Sequence, residues 1–125
     1  MRAVRTKNTA PELLVKRLVR KLGYSFRIHS KKLAGKPDLV FRSRRAVIFV
    51  HGCFWHSHHC RRGTIPRSNK PFWKKKLSGN VARDAAIIRS LRRGGWRSLV
   101  VWECQLKNID RLETRIERFL GRSLS

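Results

Sequence analysis

The order of hydrophobic and polar residues predicts helices at both ends of the chain. In "NTAPELLVKRLVRKLG" an apolar stripe recurs at helical spacing, formed by Leu14, Val15, Leu18, Val19 and Leu22. Thr9 is a candidate N-cap with Glu12 three residues later, the spacing of a capping box, and Gly23 ends the helix. A closing helix, "IDRLETRIERFLG", should turn four residues inward: Ile109, Leu112, Ile116 and Phe119.

Between these helices the pattern predicts four strands and one long helix. "YSFRIH" alternates as a half-buried strand does, "GKPDLVF" is a turn entering a short strand, and "SLVVWE" is a buried strand. "AVIFV" at 46–50 is apolar on both faces, which indicates a central covered strand. The long helix begins near Pro71 and ends at Gly94, with Leu77, Val81, Ile88 and Leu91 on its inward face. Helices can cover both faces of one mixed sheet, so we expect a single α/β domain.

Charge narrows the class of protein. Of 125 residues, 31 are Lys or Arg and 7 are Asp or Glu, a formal charge of +24. So many positive charges repel one another within the fold. A polyanion would offset this repulsion, and its phosphates would release their counterions when lysines and arginines neutralise them. We therefore expect nucleic acid as the partner, and the absence of an 18-residue apolar run argues against a membrane span.

Thiols and imidazoles cluster after the central strand, in "VIFVHGCFWHSHHC". Cys53, Cys60 and the distant Cys104, with one histidine, would satisfy tetrahedral zinc in a closed structural site. Spacing alone leaves His56, His58 and His59 interchangeable as the fourth ligand. The alternative is buried free thiols beside surface histidines.

Three acids are candidates for chemistry because acids are rare in this chain. Asp38 could hold a divalent cation against a phosphate, or it could be a turn residue paired to a lysine. Asp84 falls on the inward stripe of the long helix, where it is either functional or in a buried salt bridge with an arginine. Glu12 could equally be explained by the capping box.

Histidines and aromatics complete the candidates. His51 and His56 could act as acid and base, although either one could be a hydrogen-bonded structural histidine. Phe54, Trp55 and Trp73 lie among basic residues, where they could stack on bases or wedge between base pairs.

Taken together, these motifs resemble a known family. "HGCFWHSHHC", followed by "FW", "GNVARD" and "GWRSLVVWEC", is similar to the bacterial very short patch repair endonucleases, the mismatch nickases. With "TAPELLVKRL" and "GKPDLVF" in the same order, the resemblance covers about residues 1–120. It implies one domain over residues 1–125 with a restriction-endonuclease-like fold of the PD-(D/E)xK class, a central mixed sheet flanked by helices, and a structural zinc.

The resemblance also implies residue roles. The implied zinc ligands are Cys53, His58, Cys60 and Cys104. The implied magnesium ligands are Asp38 and the backbone carbonyl of Val50. The other implied active-centre residues are Glu12, His51, His56 and Asp84. The aromatics implied to insert beside the mismatch are Phe54, Trp55 and Trp73.

The implied reaction is the cutting of one DNA strand. Magnesium on Asp38 would hold the scissile phosphate and lower the pKa of the attacking water. His56, oriented by Asp84, would handle the proton, and His51 would stabilise the transition state. The product would be a nick with a 5′-phosphate, with histidine in place of the lysine usual in the wider fold class.

The chain departs from the family pattern in three places. Val50 stands where the family usually has Thr, a change that a backbone ligand tolerates, and Ser57 interrupts the histidine run. Because the sequence begins at "MRAVRTKNT", we expect most of the N-terminal arm that family members press into the minor groove to be missing. We therefore expect weaker discrimination of T:G mismatches, with the high positive charge giving a sequence-independent grip.

Two other functions stay open on the sequence. One is a related nuclease with a different target, restriction-linked or from a mobile element. The other is a non-catalytic, zinc-containing nucleic-acid-binding protein, which the joint presence of the candidate active-centre residues disfavours. The expected partners are mismatched double-stranded DNA and mismatch-repair proteins in the bacterial cytoplasm, with no membrane. We expect a monomer, because a single-strand nick needs one active site.

Overall fold

The computed structural model describes residues 10–28, 33–53 and 67–121. The helices are α1 (Ala10–Lys21), α2 (Lys70–Arg93) and α3 (Ile109–Leu120), and the strands are β1 (Leu39–Phe41), β2 (Ala46–His51) and β3 (Arg97–Trp102). Short 3-10 turns follow β1 and β3. No helix within these ranges is long and apolar enough to cross a membrane.

The sheet is mixed, with β2 in the centre. Its order is β1-β2-β3, β2 being antiparallel to β1 and parallel to β3. The register pairs Leu39 with Ile48 on one side and His51 with Trp102 on the other. The predicted mixed sheet flanked by helices is thus confirmed, as is the burial of the "AVIFV" strand in its centre.

Helices pack on both faces of β2. Ala46 and Ile48 belong to a core cluster with residues of α1 and α3, and Val47 and Phe49 to a second cluster with Leu91 of α2. The side-chain alternation of a strand divides the two sets. A strand covered on both faces must be apolar at every position, which is the pattern that the sequence shows there.

The strand predicted at 24–29 is not formed in the described part of that segment. Residues 24–28 make one isolated antiparallel bridge, in which Arg27 and Val40 exchange backbone hydrogen bonds of 2.9 and 2.8 Å. Tyr24 and Phe26 nevertheless pack against the α1/α3 cluster. The alternation of apolar and polar residues therefore reflects an extended segment that packs against the core without joining the sheet. The described sheet has three strands rather than the four predicted.

Three predicted inward positions are wrong. Leu14, Val81 and Ile109 are 43%, 43% and 37% exposed. Each of the three lies at the edge of its helix's apolar stripe. The part of each helix surface that is buried against the core is narrower than that stripe. Helix α3 instead buries three side chains spaced four residues apart: Leu112, Ile116 and Leu120.

Two arginines hold the carboxyl end of α3 at the start of the sheet. The Arg44 guanidinium donates to the carbonyl oxygen of Leu120 at 2.9 Å, and Arg97 donates to that of Phe119. The last carbonyls of a helix have no partner within it, and cations there also complement the helix dipole. This end of the sheet is therefore occupied by structural contacts, while the opposite end carries the candidate chemistry.

Two glycines give a matched test of the packing between α2 and the turn before β1. A Cβ added at Gly35 would lie 2.5 Å from Ile87 Cγ2, and the φ of Gly35 is +74°, whereas a Cβ at Gly79 within α2 would meet nothing within 4 Å. We expect Gly35→Ala to lower the free energy of unfolding by about 1–3 kcal/mol. Gly79→Ala should raise it by up to about 1 kcal/mol.

Urea unfolding of both variants checks this packing. A Gly35→Ala protein as stable as wild type would show that the turn moves away from α2 without cost.

Candidate active site

A cleft of about 740 Å³ opens at the end of the sheet where β2 finishes. Three of the chain's seven acids line it, Glu12 from α1, Asp38 from the segment before β1 and Asp84 from α2. Val50 and His51 of β2 form another part of its wall. In a chain of charge +24, this is where carboxylates concentrate.

Asp38 is fixed by two hydrogen bonds to β2. Its backbone N–H donates to the Ile48 carbonyl at 3.1 Å, and its Oδ2 accepts from the Val50 N–H at 2.7 Å. Pro37, fully buried just before it, adds a fixed φ. The carboxylate is thus held beside the last residues of β2.

The Val50 carbonyl is directed toward the same side. In an extended strand the N–H and C=O of one residue point to the same edge. The Val50 N–H meets Asp38, and the registered β1–β2 pairs end at Ile48. A cation beside Asp38 would therefore find the Val50 carbonyl within the same part of the cleft.

His51 is buried, at 8% exposed, where β2 ends. Its ring lies edge-on to Trp102 with centroids 5.3 Å apart, and 5.7 Å from the Phe49 ring. Aromatic contacts on both sides restrict rotation of the imidazole. His51 ends the central strand, as predicted, and lines the cleft.

Glu12 is 7% exposed and lines the cleft. A capping role at the start of α1 does not explain why this side chain is buried beside the cleft. Lys16, one turn later on the same face of α1, is 4% exposed. Buried charges need partners, and Glu to Lys at i, i+4 is the favourable orientation. The burial of Lys16 was missed, since its sequence position resembles any surface lysine of an amphipathic helix.

Asp84 is half-buried and lines the cleft with Ile87 and Ile88. The side chains of Leu77 and Leu91 on the same helix are buried. The predicted inward stripe of α2 therefore faces partly toward the core and partly toward the cleft. This is why an acid is tolerated at position 84.

Two cationic residues of the cleft were not singled out from the sequence. Lys36 and Arg83, both exposed, line it alongside the carboxylates. A signal existed, since each lies next to or near a candidate acid, "KPD" and "RD". In a chain with 31 basic residues, a lysine or arginine near an acid is common. This signal therefore becomes informative only once the fold places both residues in the cleft.

The cysteines Cys53 and Cys104 each lie two residues beyond the paired ends of adjacent parallel strands, His51 and Trp102. Cys53 is fully buried and Cys104 partly so, and they form no disulfide with each other. This placement suits two ligands of one ion. No group of three or more His, Cys, Asp or Glu side chains within the described ranges is arranged to hold a metal.

Several predicted site residues lie outside the described residues. They are Phe54, Trp55, His56, His58 and Cys60. Trp73 is described and half-buried near the start of α2, where its ring meets that of Phe72 edge-on at 5.1 Å. Phe72, which the sequence pattern does not distinguish from a core aromatic, is 52% exposed.

Comparison with known proteins identifies the class. The sequence model of the family "DNA mismatch endonuclease Vsr" matches residues 1–62. The type II nicking enzyme V.XorIIP of Xanthomonas oryzae is 49% identical over 98% of this chain and 90% of its own. The DNA mismatch endonuclease Vsr of Escherichia coli is 44% identical over 90% and 72%. The type II nicking enzyme V.NmeAIP of Neisseria meningitidis is 39% identical over 96% and 86%.

These relatives are DNA endonucleases, and the predicted enzyme class is confirmed by them. The chain belongs to the Vsr DNA mismatch endonuclease family. The likeness to V.XorIIP extends over nearly the whole chain, so the family assignment does not depend on the cysteine–histidine segment alone.

The hydrogen bond from Val50 to Asp38 can be tested by two variants that remove the same charge. Asp38→Asn keeps an oxygen that accepts from the Val50 N–H, and Asp38→Ala does not. We expect the Ala variant to be less stable than the Asn variant by about 1–2 kcal/mol in metal-free buffer. Equal urea midpoints for the two variants would show that this hydrogen bond does not hold the segment before β1.

Proposed function

We propose that this chain is a magnesium-dependent endonuclease that nicks one strand of double-stranded DNA beside a T:G mismatch. The observation that carries the proposal is the cleft, in which Asp38, Val50, His51 and Asp84 come together in a member of the Vsr family. The hydrogen-bonded placement of Asp38 against β2 supports the restriction-endonuclease-like interpretation of the sheet.

DNA is the substrate that the electrostatics favour. A chain of charge +24 attracts phosphates over its whole surface, while the acids of the cleft provide a place for a divalent cation. Phosphodiester hydrolysis needs the DNA backbone to be bound and a divalent cation to lie beside it. The cation neutralises charge that develops on the phosphate oxygens.

The donor set fits magnesium. This ion prefers oxygen ligands and keeps several waters, so one or two carboxylates together with substrate phosphates complete its shell. Asp38 and the Val50 carbonyl would hold it, and substrate phosphate oxygens and waters would take its other positions. When bound, the ion would lower the pKa of a water and offset charge on the phosphate.

The chain's own residues would handle the proton and the charge. His56 would take the proton from the attacking water as its oxygen bonds to phosphorus, with Asp84 orienting the imidazole. The P–O3′ bond then breaks and the 3′ oxygen takes a proton from a solvent water, which leaves a 3′-hydroxyl and a 5′-phosphate. His51, held between Phe49 and Trp102, would stabilise charge on the phosphate oxygens.

A structural zinc completes the proposal. Cys53, His58, Cys60 and Cys104 would bind it, with the two cysteines at the ends of β2 and β3 supporting the assignment. Zinc–thiolate bonds would then tie the segment after β2, which carries His56, to the sheet. The ion would act on the position of that segment and not on the phosphate.

A second target has support from the relatives' names. V.XorIIP and V.NmeAIP are both named type II nicking enzymes, so a target other than a repair mismatch is the alternative. The chemistry would be the same, and the choice of duplex would differ.

Nicking is tested with labelled duplexes that differ in one base pair, T:G against T:A, together with supercoiled plasmid. We expect magnesium-dependent cutting of the T-containing strand at T:G, and a loss of about a hundredfold or more in Asp38→Asn. Glu117→Gln, which removes an exposed acid of α3, is the control that should cut like wild type. Equal rates on T:G and T:A would favour the alternative target, and no cutting with magnesium would contradict the proposal.

Zinc is tested by metal analysis of the purified chain. We expect about one zinc ion per chain in wild type and a loss of zinc, with a lower melting temperature, in Cys104→Ser and His58→Gln. His59→Gln, which changes the neighbouring histidine, should keep both. Full zinc content in Cys104→Ser would show that Cys104, just beyond β3, is not a ligand.

A further inference from the structure

We propose that Lys36 and Arg83 form a phosphate clamp that holds the scissile strand of DNA against the carboxylates of the cleft. The inference rests on the proposed function and adds two residues to it. Both side chains are exposed and line the cleft, one from the turn before β1 and one from α2.

The first observation is that neither cation has an acidic partner. Neither Lys36 nor Arg83 makes an ion pair with any residue in the described ranges, although these ranges contain all seven acids of the chain. Three of those acids line the same cleft. Cations placed among carboxylates that they do not pair with are available to an anion that enters from outside.

The second observation is the backbone at Lys36. Its φ is +48°, in the left-handed region that side chains other than glycine rarely adopt. The following residue is Pro37, and a residue before proline is normally extended. A glycine would adopt this conformation more easily, so the lysine sits here at a cost in stability, as residues at functional sites often do.

The third observation is that the two cations flank one close contact between the turn and α2. The turn is seated so closely on α2 that a Cβ at Gly35 would overlap the Ile87 side chain, and Lys36 follows Gly35 directly. Arg83 lies one helical turn before Ile87 on the same face of α2. Lys36 and Arg83 therefore line the cleft from the two elements that meet at this contact, and the clamp would join them through one phosphate group.

The chemistry matches a phosphodiester. Arginine can donate two parallel hydrogen bonds to phosphate oxygens, and lysine acts as a point charge. The two cations would offset the repulsion between the carboxylates of the cleft and the negative phosphate. The carboxylates would then remain available to the divalent cation.

The test compares two residues with the same backbone conformation. Lys36→Gly and Arg45→Gly each remove a cation from a left-handed position, with φ of 48° and 51°, but Arg45 lies at the opposite end of β2. We expect Lys36→Gly to nick T:G duplex about ten- to a hundredfold more slowly while melting at or above the wild-type temperature. Arg45→Gly should nick like wild type, Lys36→Arg should restore most of the rate, and Arg83→Gln should lose a similar factor.

Duplex binding without magnesium provides a second readout. Loss of one phosphate contact should reduce the slope of log affinity against log salt by about 1 in Lys36→Gly, and not in Arg45→Gly. Wild-type rates and slopes in both Lys36→Gly and Arg83→Gln would overturn the clamp, as would a rate loss matched by a fall in melting temperature. If wild type cuts no duplex, the proposed function fails, and the clamp is still decided by the binding slopes.

Discussion

The hydrogen bonding of β2 to neighbours on both sides is the interaction on which the rest of the structure depends. A buried strand must pair its backbone polar groups, and β2 does so with β1 and with β3. The antiparallel partner brings Asp38 beside Val50, and the parallel partner brings Trp102 beside His51. The same ladder that satisfies the backbone therefore sets the catalytic candidates at one end of the sheet.

Charge is distributed in a way that separates binding from chemistry. Basic residues outnumber acids 31 to 7, so the surface as a whole attracts a polyanion. Three of the seven acids, Glu12, Asp38 and Asp84, are gathered in the cleft, where Lys36 and Arg83 are the cationic residues. This distribution suits a DNA-cutting family, since the basic surface attracts a DNA backbone and the cleft offers carboxylate oxygens.

Strong local patterns were interpreted correctly from the sequence. The apolar "AVIFV" run indicated the central strand because a strand covered on both faces admits only apolar side chains. The long helix was predicted close to its observed bounds, Lys70–Arg93. The segment at 24–29 was misjudged, because alternation records which side chains are buried and not whether a neighbouring strand completes the ladder. Val81 was misjudged because periodicity locates the centre of a helix face and not its width.

The sequence by itself determined the main elements, the polyanion partner and the family, since these follow from local periodicity, total charge and motifs that stay together along the chain. The tertiary structure decided which charged residues share a site. Glu12 and Arg83 are 71 positions apart, yet both line the cleft with Asp38, and the burial of Lys16 was equally invisible from its position. The physical reason is that such proximity depends on strand register and on the seating of Gly35 against Ile87, long-range contacts that no local pattern encodes.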